Sequence, residues 1–409
     1  MNIRPLNLEN DIDQMVKIWQ EVGWLSSEEK PVLKILFQAG QGYGADLEDE
    51  LEATLLSLPA DINYEVNLLP VQALSGLVVS PRARRQRIGR NIMIRALEEA
   101  ARSGQALSAL IMFEQGFYDR LGFGLGGYKR VFTFDPEKLN IAEDPVMPAR
   151  LSIDEWKSVH QALKRRDRSH GGISIKSPEF IKAELEWDKN ESYGLGYYDD
   201  DGSISHFLWL WRQGDSHGPL LVKFLACRNQ AQLLDLLAII SRLGDQIHAV
   251  KMSEPYCLRL RDFISYPHKQ ERKTTGGKLS YKSRVEAPGQ LKILDLRRCI
   301  EALAIPGAEL EFNLKLEDPL SKFAGEDSPA VISGEFSLKL GEESQLKEGT
   351  VQGLPTLQSS INAFTRLWLG SASPLELKAS SQFSAPSELF RKLEETFRWL
   401  PEPQFEMYF

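Results

Sequence analysis

The sequence predicts an α+β protein of more than one domain, and three observations carry that expectation. Its 409 residues exceed what one ordinary core organises and imply roughly two to four domains. Short runs of alternating apolar residues are interspersed with runs whose apolar residues recur at helical spacing. A meander of strands followed by a helix and a further strand occurs twice, before the pattern changes from Leu291 onward.

Composition narrows the class. The chain is 42% hydrophobic, 26% charged and 9% aromatic, enough to bury large cores without disulfide or metal staples. Its apolar-rich runs, such as residues 233–240, fall well short of the ~20 residues of a membrane span, so a soluble protein without a membrane partner is expected. The opening residues, Met1 to Leu6, hold no apolar leader core, and the three cysteines, Cys227, Cys257 and Cys299, are far apart and odd in number. A reducing, cytoplasmic location fits these features. The net charge of −8 speaks against a nucleic-acid partner and leans toward amines or other cations as ligands.

In chain order, a short strand is expected over 3–6, then a helix whose stripe is Ile12, Met15, Val16 and Trp19. Strands follow over 44–47 and 51–58 around the acidic turn 48–50, and another over 71–79. That strand runs into Ser80-Pro81-Arg82-Ala83-Arg84-Arg85-Gln86-Arg87-Ile88-Gly89-Arg90-Asn91. A helix with the stripe Ile88, Ile92, Ala96 and Ala100 comes next and stops near Gly104. A strand over 107–113 and a short helix over 116–121 complete the segment.

The basic loop carries the first functional reading. A helix start offers backbone N–H groups without intrahelical partners, and the helix dipole favours anions there. Gly89 leaves that backbone accessible, and Arg84, Arg85, Arg87 and Arg90 offer guanidinium forks shaped for phosphate. An arginine-rich turn also suits a plain solvated surface, and the absence of interleaved aromatics disfavours an RNA patch. Its place between a buried strand and an amphipathic helix favours a phosphate site without naming the ligand.

These residues resemble the GNAT superfamily of N-acetyltransferases, whose coenzyme A loop reads Gln/Arg-x-x-Gly-x-Gly/Ala. Gln86-Arg87-Ile88-Gly89-Arg90-Asn91 matches at Gln86 and Gly89 and departs at Asn91. A second segment, Phe113-Glu114-Gln115-Gly116-Phe117-Tyr118-Asp119-Arg120-Leu121-Gly122-Phe123-Gly124, resembles the Tyr-x-Arg-x-Gly-Phe/Tyr-Gly signature of the enhanced-intracellular-survival (Eis) acetyltransferases. Phe113 stands where that family often has serine.

The resemblance implies a fold of tandem GNAT-like domains with mixed, largely antiparallel sheets flanked by helices, closed by a sterol-carrier-protein-like α+β domain. The implied boundaries are 1–140 for the catalytic domain, 141–287 for a second GNAT-like domain without a cofactor loop, and 288–409 for the last. In the second region, strands are read over 192–198, 204–211, 220–227 and 248–252, with a helix over 230–243. Arg228-Asn229-Gln230-Ala231-Gln232 lacks a glycine at the phosphate-loop spacing. Beyond Leu291, alternation marks strands at 310–316 and 336–340, and helices are read from Leu357, Ile361, Phe364 and Trp368 and from Leu389, Leu393 and Phe397. Those apolar faces suit a solid core better than a lipid cavity.

The function the resemblance implies is transfer of acetyl from acetyl-CoA to a primary amine of a small molecule or peptide by direct attack. Tyr118 is the implied general acid. The carboxylate of the last residue, Phe409, is the implied general base. A phenol with an ordinary pKa near ~10 keeps its proton at neutral pH and suits the first role. Arg85, Gln86, Arg87, Ile88, Gly89 and Arg90 are the implied pyrophosphate loop, and Phe113 and Glu114 flank the thioester. Backbone N–H groups of Leu77, Val78 and Val79 would hold the pantetheine arm and polarise the carbonyl. A homo-oligomer, a hexamer, is implied as well. No metal is expected: the first 150 residues contain no histidine, which also excludes histidine triads there. The competing readings are an idle acetyl-CoA-binding scaffold and a lipid carrier acting through the last domain.

Overall fold

The structure, a computed structural model, describes residues 1–142, 146–212, 218–265 and 281–404. Among the described residues, its contacts group Met1–Tyr128, His170–Lys176 and 287–404 into one unit, and Lys129–Ser169 with Ser177–Glu286 into another.

In the first unit, β1 (Asn2–Pro5) pairs with β2 (Gln41–Leu47). The acidic turn of Glu48 and Asp49, both left-handed with φ of 52° and 65°, reverses the chain into β3 (Glu50–Tyr64). Asp is one of the few non-glycine residues that adopts this region readily. β4 (Asn67–Val79) completes the antiparallel meander. Helix α1 (Ile12–Glu21) buries Ile12, Met15, Ile18 and Trp19, so Ile18 rather than the expected Val16 completes its stripe. Helix α2 (Lys30–Gln38) has no counterpart in the sequence reading, although Val32, Leu33, Leu36 and Phe37 form its buried face at helical spacing.

Helix α3 (Ile88–Arg102) presents the expected stripe of Ile88, Ile92, Ala96 and Ala100, to which Met93 and Leu97 add. It crosses to β5 (Leu107–Ile111), which pairs parallel to β4. Helix α4 (Gln115–Asp119) and β6 (Gly124–Leu125) follow. The strand Gly289–Ile293 then lies between β5 and β6, antiparallel to both. No strand is read there from sequence, because Gln290 and Lys292 interrupt its apolar pattern. Both are fully buried. The Lys292 ammonium meets the buried Asp318 carboxylate at 2.5 Å, and Asp318 also accepts the N–H groups of Leu320 and Ile332.

The chain from Ala287 on contributes a sheet ordered Gln345–Glu348, Gly334–Leu340, Leu310–Glu317, Thr356–Ser360 and Phe383–Ser384. Leu357, expected on a helix, is on the strand Thr356–Ser360. The helix Ile361–Leu369 starts after it because the Ser360 side chain accepts the N–H of Ala363 and fixes the cap.

In the second unit, among the described residues, the antiparallel strands Ala149–Leu151, Ser192–Tyr198, Ile204–Arg212 and Leu220–Ala226 precede the helix Gln230–Ser241. Leu220–Ala226 then pairs parallel with Val250–Ser253. Lys129–Phe134 and Lys282–Glu286 complete this sheet. The protein is thus a mixed α/β chain with three mixed sheets flanked by helices.

Candidate active site

The site begins with a defect in β4. Its register against β3 runs Ala53 to Val79 and Thr54 to Val78, then jumps to Leu56 opposite Ser75. Gly76 and Leu77 therefore face Leu55 alone, a bulge that bends the strand. Gly76 has φ of 59°, and a Cβ there would stand 3.1 Å from the Trp19 ring, so both conformation and space call for glycine. Thr54 Oγ1 donates to the Gly76 carbonyl at 3.0 Å and accepts the Trp19 indole N–H at 3.0 Å.

The bulge also marks a parting of strands. β4 and β5 pair from Val71 with Leu107 to Leu74 with Leu110. Beyond Leu74, among the described residues, β4 keeps only β3 as a neighbour. The opposite edge of β4, through Leu77, Val78 and Val79, is left open to a ligand.

Where β4 ends, Ser80 accepts the N–H of Ala83 at 3.2 Å and donates to Glu52. Arg82 is held by Glu48, Glu50 and Glu52, so this arginine fastens the β2–β3 turn and is not available to phosphate. Arg85 and Arg87 are left-handed, with φ of 64° and 66°. Such residues let successive N–H groups converge on an anion. Arg87 is the N-cap of α3 without a side-chain capping bond, so the first N–H groups of the helix stay unsatisfied. Among the described residues, Arg84, Arg85 and Arg87 form no ion pair. The Arg90 guanidinium stacks on Phe323, 4.5 Å from the ring centroid, with its buried Nε unpartnered. Gly89 sits between Val79 and Phe117, whose atoms would lie 3.3 and 3.8 Å from a Cβ.

The opposite wall is the segment 113–124. Glu114 Oε1 accepts the N–H of Gly116 and caps α4. Asn362 donates to the carbonyls of Asp119 and Phe123, at 2.8 and 2.7 Å, and Gln290 donates to Asp119 Oδ1 at 2.6 Å. These bonds bring Lys292 against Gly122, which has φ of 88°, and the Asn362 carbonyl against Gly124. The paired glycines of the signature are thus explained by close packing on both.

Together these pieces enclose a groove of about 800 Å³. Leu77, Val78, Val79, Arg85, Arg87, Ile88, Gly89, Arg90, Phe113 and Glu114, each singled out from sequence, all line it. Gln86 does not: its side chain turns back to the Arg82 carbonyl at 3.3 Å. Tyr118 is buried and is not part of the wall, but its ring meets two wall residues edge to face, Phe113 at 5.9 Å and Phe117 at 5.0 Å. Burial, and to a smaller degree the nearby Glu114 carboxylate, push its phenol well above the usual tyrosine range. Phe409 lies outside the described residues.

Trp24, Arg120 and Phe323 also line the groove and were missed from sequence. Trp24 could have been noticed as an aromatic just past α1, whereas Phe323, more than two hundred residues from the loop, carries no sequence signal. A second cavity, of about 760 Å³, is walled by Glu309, Glu311, Lys339, Glu388 and Lys392 among others. No helix among the described residues is long and apolar enough to cross a membrane.

Comparison with known proteins bears on the N-terminal segment and on the fold. Residues 2–126 match the acetyltransferase (GNAT) domain family. No curated protein matches the chain. Among solved structures, Eis1 from Mycobacterium abscessus is similar with a TM-score of 0.76 at 16% identity, covering 99% of each chain. A GCN5-related N-acetyltransferase from Kribbella flavida gives a TM-score of 0.74 at 21% identity over 98% of this chain and 97% of that one. A GCN5-related N-acetyltransferase from Anabaena variabilis gives 0.79 at 16% identity over 98% of both. The chain therefore carries a GNAT acetyltransferase domain over residues 2–126, within a full-length fold similar to that of Eis1.

Proposed function

We propose that this protein is an acetyl-CoA-dependent N-acetyltransferase acting on primary amines, organised as a catalytic domain over 1–140, a second GNAT-like domain over 141–287 and a sterol-carrier-protein-like domain over 288–409. The observation that carries the reading is the open edge of β4 ending at an uncapped, arginine-lined helix start. Pyrophosphate suits the free N–H groups of α3 beside Gly89, with Arg84, Arg85, Arg87 and Arg90 as counter-charges. The free edge of β4 at Leu77, Val78 and Val79 suits the amide-bearing pantetheine arm and supplies N–H groups to a developing oxyanion.

When bound, acetyl-CoA supplies an activated acyl group as a thioester. The chain must then hold a proton for the departing thiolate and remove one from the amine. Tyr118 suits the first duty, because its raised pKa keeps it protonated at neutral pH, and its ring is one layer from the groove. The second duty is proposed for the Phe409 carboxylate on the strength of the family resemblance.

Release of thiol from acetyl-CoA, followed over a panel of amines, tests the reading. A C-terminal extension that turns the Phe409 carboxylate into an amide should leave a folded protein that still binds coenzyme A, with transfer slowed at least ~10²-fold. An extended protein that acetylates at the untagged rate excludes the chain-end base, and a wild-type protein that transfers to no amine excludes the enzyme.

A further inference from the structure

We propose that the acceptor end of the groove selects a monoamine carried on a flat apolar body, an arylalkylamine, over a polycationic amine. The inference rests on the acetyltransferase reading and adds the substrate class. Two aromatic side chains carry it. Trp24 is 44% and Phe113 64% exposed, yet both line the groove and stand edge to face, with centroids 6.0 Å apart at 80°. Neither is a loose surface residue. Trp24 packs edge to face on Trp19 at 5.9 Å, and the Trp19 indole is tied through Thr54 to the bulge carbonyl of Gly76. Phe113 packs edge to face on Tyr118 at 5.9 Å. An exposed aromatic pair held at the bulge and beside the proposed acid is a ready surface for a ligand ring.

Charge sets the rest of the preference. Among the described lining residues, Glu114 is the carboxylate, against Arg84, Arg85, Arg87, Arg90 and Arg120. Coenzyme phosphates on the loop arginines leave the acceptor end with one negative group. One Glu114 oxygen caps Gly116, and the other is left for one ammonium. A polycation would bring further positive charges beside Arg120 and the loop arginines, with Glu114 alone among the described lining residues to pair them. An arylalkylamine places one charge at Glu114 and its ring against Trp24 and Phe113.

The test is calorimetric titration of the full-length protein, saturated with coenzyme A, by phenethylamine and by spermine, together with transfer kinetics for both. Phenethylamine should bind at least about tenfold more tightly than spermine. Trp24→Ala should weaken phenethylamine about tenfold or more, as for a truncated aromatic anchor, chiefly in KM and not in kcat, while its coenzyme A affinity is kept. Trp24→Phe should restore most of the loss. Spermine binding as tightly as phenethylamine, or a Trp24→Ala protein with an unchanged preference, overturns the proposal. Failure of the acetyltransferase reading would look different: the arylalkylamine preference would hold in calorimetry while no amine was acetylated.

Discussion

The chain builds a strand, loop and helix at the same place in two sheets and leaves only one of them open. In the first unit, β4 parts from β5 after Leu74 and leads through Arg85 and Arg87 into an uncapped α3. In the second, the strand Leu220–Ala226 pairs with Val250–Ser253 at Leu220 and Leu221 alone and leads into the helix Gln230–Ser241. There the helix start is satisfied from within. Asn229 accepts the N–H of Gln232, Gln232 accepts the N–H of Arg228, and the Arg228 guanidinium is bound by Asp199 at 2.7 Å and Ser205 at 2.9 Å. A parted pair of strands is therefore not enough for an anion site. The difference lies in whether the loop spends its own side chains on the helix terminus.

The largest expected effect breaks the first region chemically. Tyr118→Phe should cut turnover by ~10²- to 10⁴-fold, as for loss of a general acid, while coenzyme A affinity stays within about twofold of wild type, since the ring and its contacts with Phe113 and Phe117 remain. Because its phenol is raised in pKa, Tyr118 should contribute no alkaline limb to the rate profile up to about pH 10, the ordinary tyrosine value. A turnover in Tyr118→Phe equal to wild type removes it from the mechanism.

The next contrast separates arginines that build the loop from those left for a ligand. Arg82→Ala strands the buried Glu52, and chemical denaturation should register a loss of about 2 kcal/mol, half-exposure of the arginine tempering the cost of an unpaired carboxylate. Arg87→Ala should leave stability within about 0.5 kcal/mol, as for an exposed site, and weaken coenzyme A about tenfold through one lost charge-assisted contact. Reversed outcomes, stability lost with Arg87 and affinity lost with Arg82, would mean the two roles are misassigned.

The smallest effect compares two buried histidines. In the first unit, His170 accepts the Glu65 N–H through Nδ1 and bonds the Leu369 carbonyl through Nε2 at 2.8 Å. Its pKa is lowered by burial, partly countered by that carbonyl. In the second unit, His206 is lowered by burial too, but Asp235 opposes the shift. A histidine lowered on folding takes up its proton more readily in the unfolded chain. Stability from this source is thus present above the unfolded pKa of about 6.5 and falls as pH drops below it. Denaturation midpoints between pH 7 and pH 5 should fall, and His170→Gln and His206→Gln should each flatten that fall. An unchanged slope in His170→Gln would contradict the assignment.

Much of the open region is legible in the sequence because each part has a local signal. The stripe of α3 is periodic, Gly89 is set by its motif, and the loop is rich in arginine. What is hidden depends on partners far along the chain. The bulge at Gly76 packs against Trp19 and is tied to it through Thr54, and Arg82 belongs to the acidic turn instead of the cation cluster. The strand Gly289–Ile293 contains a lysine that only the distant Asp318 makes tolerable. Phe323 enters the groove by tertiary folding alone, whereas Trp24, just past α1, left a local signal. Even Gln86, picked by pattern, turns to a backbone carbonyl once the loop adopts its left-handed path.

Whether the open helix start at Gly89 holds the cofactor while its closed counterpart at Arg228 does not can be read from the stabilisation that coenzyme A confers on three proteins. At about one hundred times its dissociation constant, coenzyme A should stabilise the wild type by about 2.7 kcal/mol, and Arg228→Ala by the same amount over its own baseline. Gly89→Glu, which brings a carboxylate into the space beside Val79 and Phe117, should gain nothing. A Gly89→Glu protein stabilised as strongly as wild type, or an Arg228→Ala protein that loses the gain, would place the cofactor elsewhere than the start of α3.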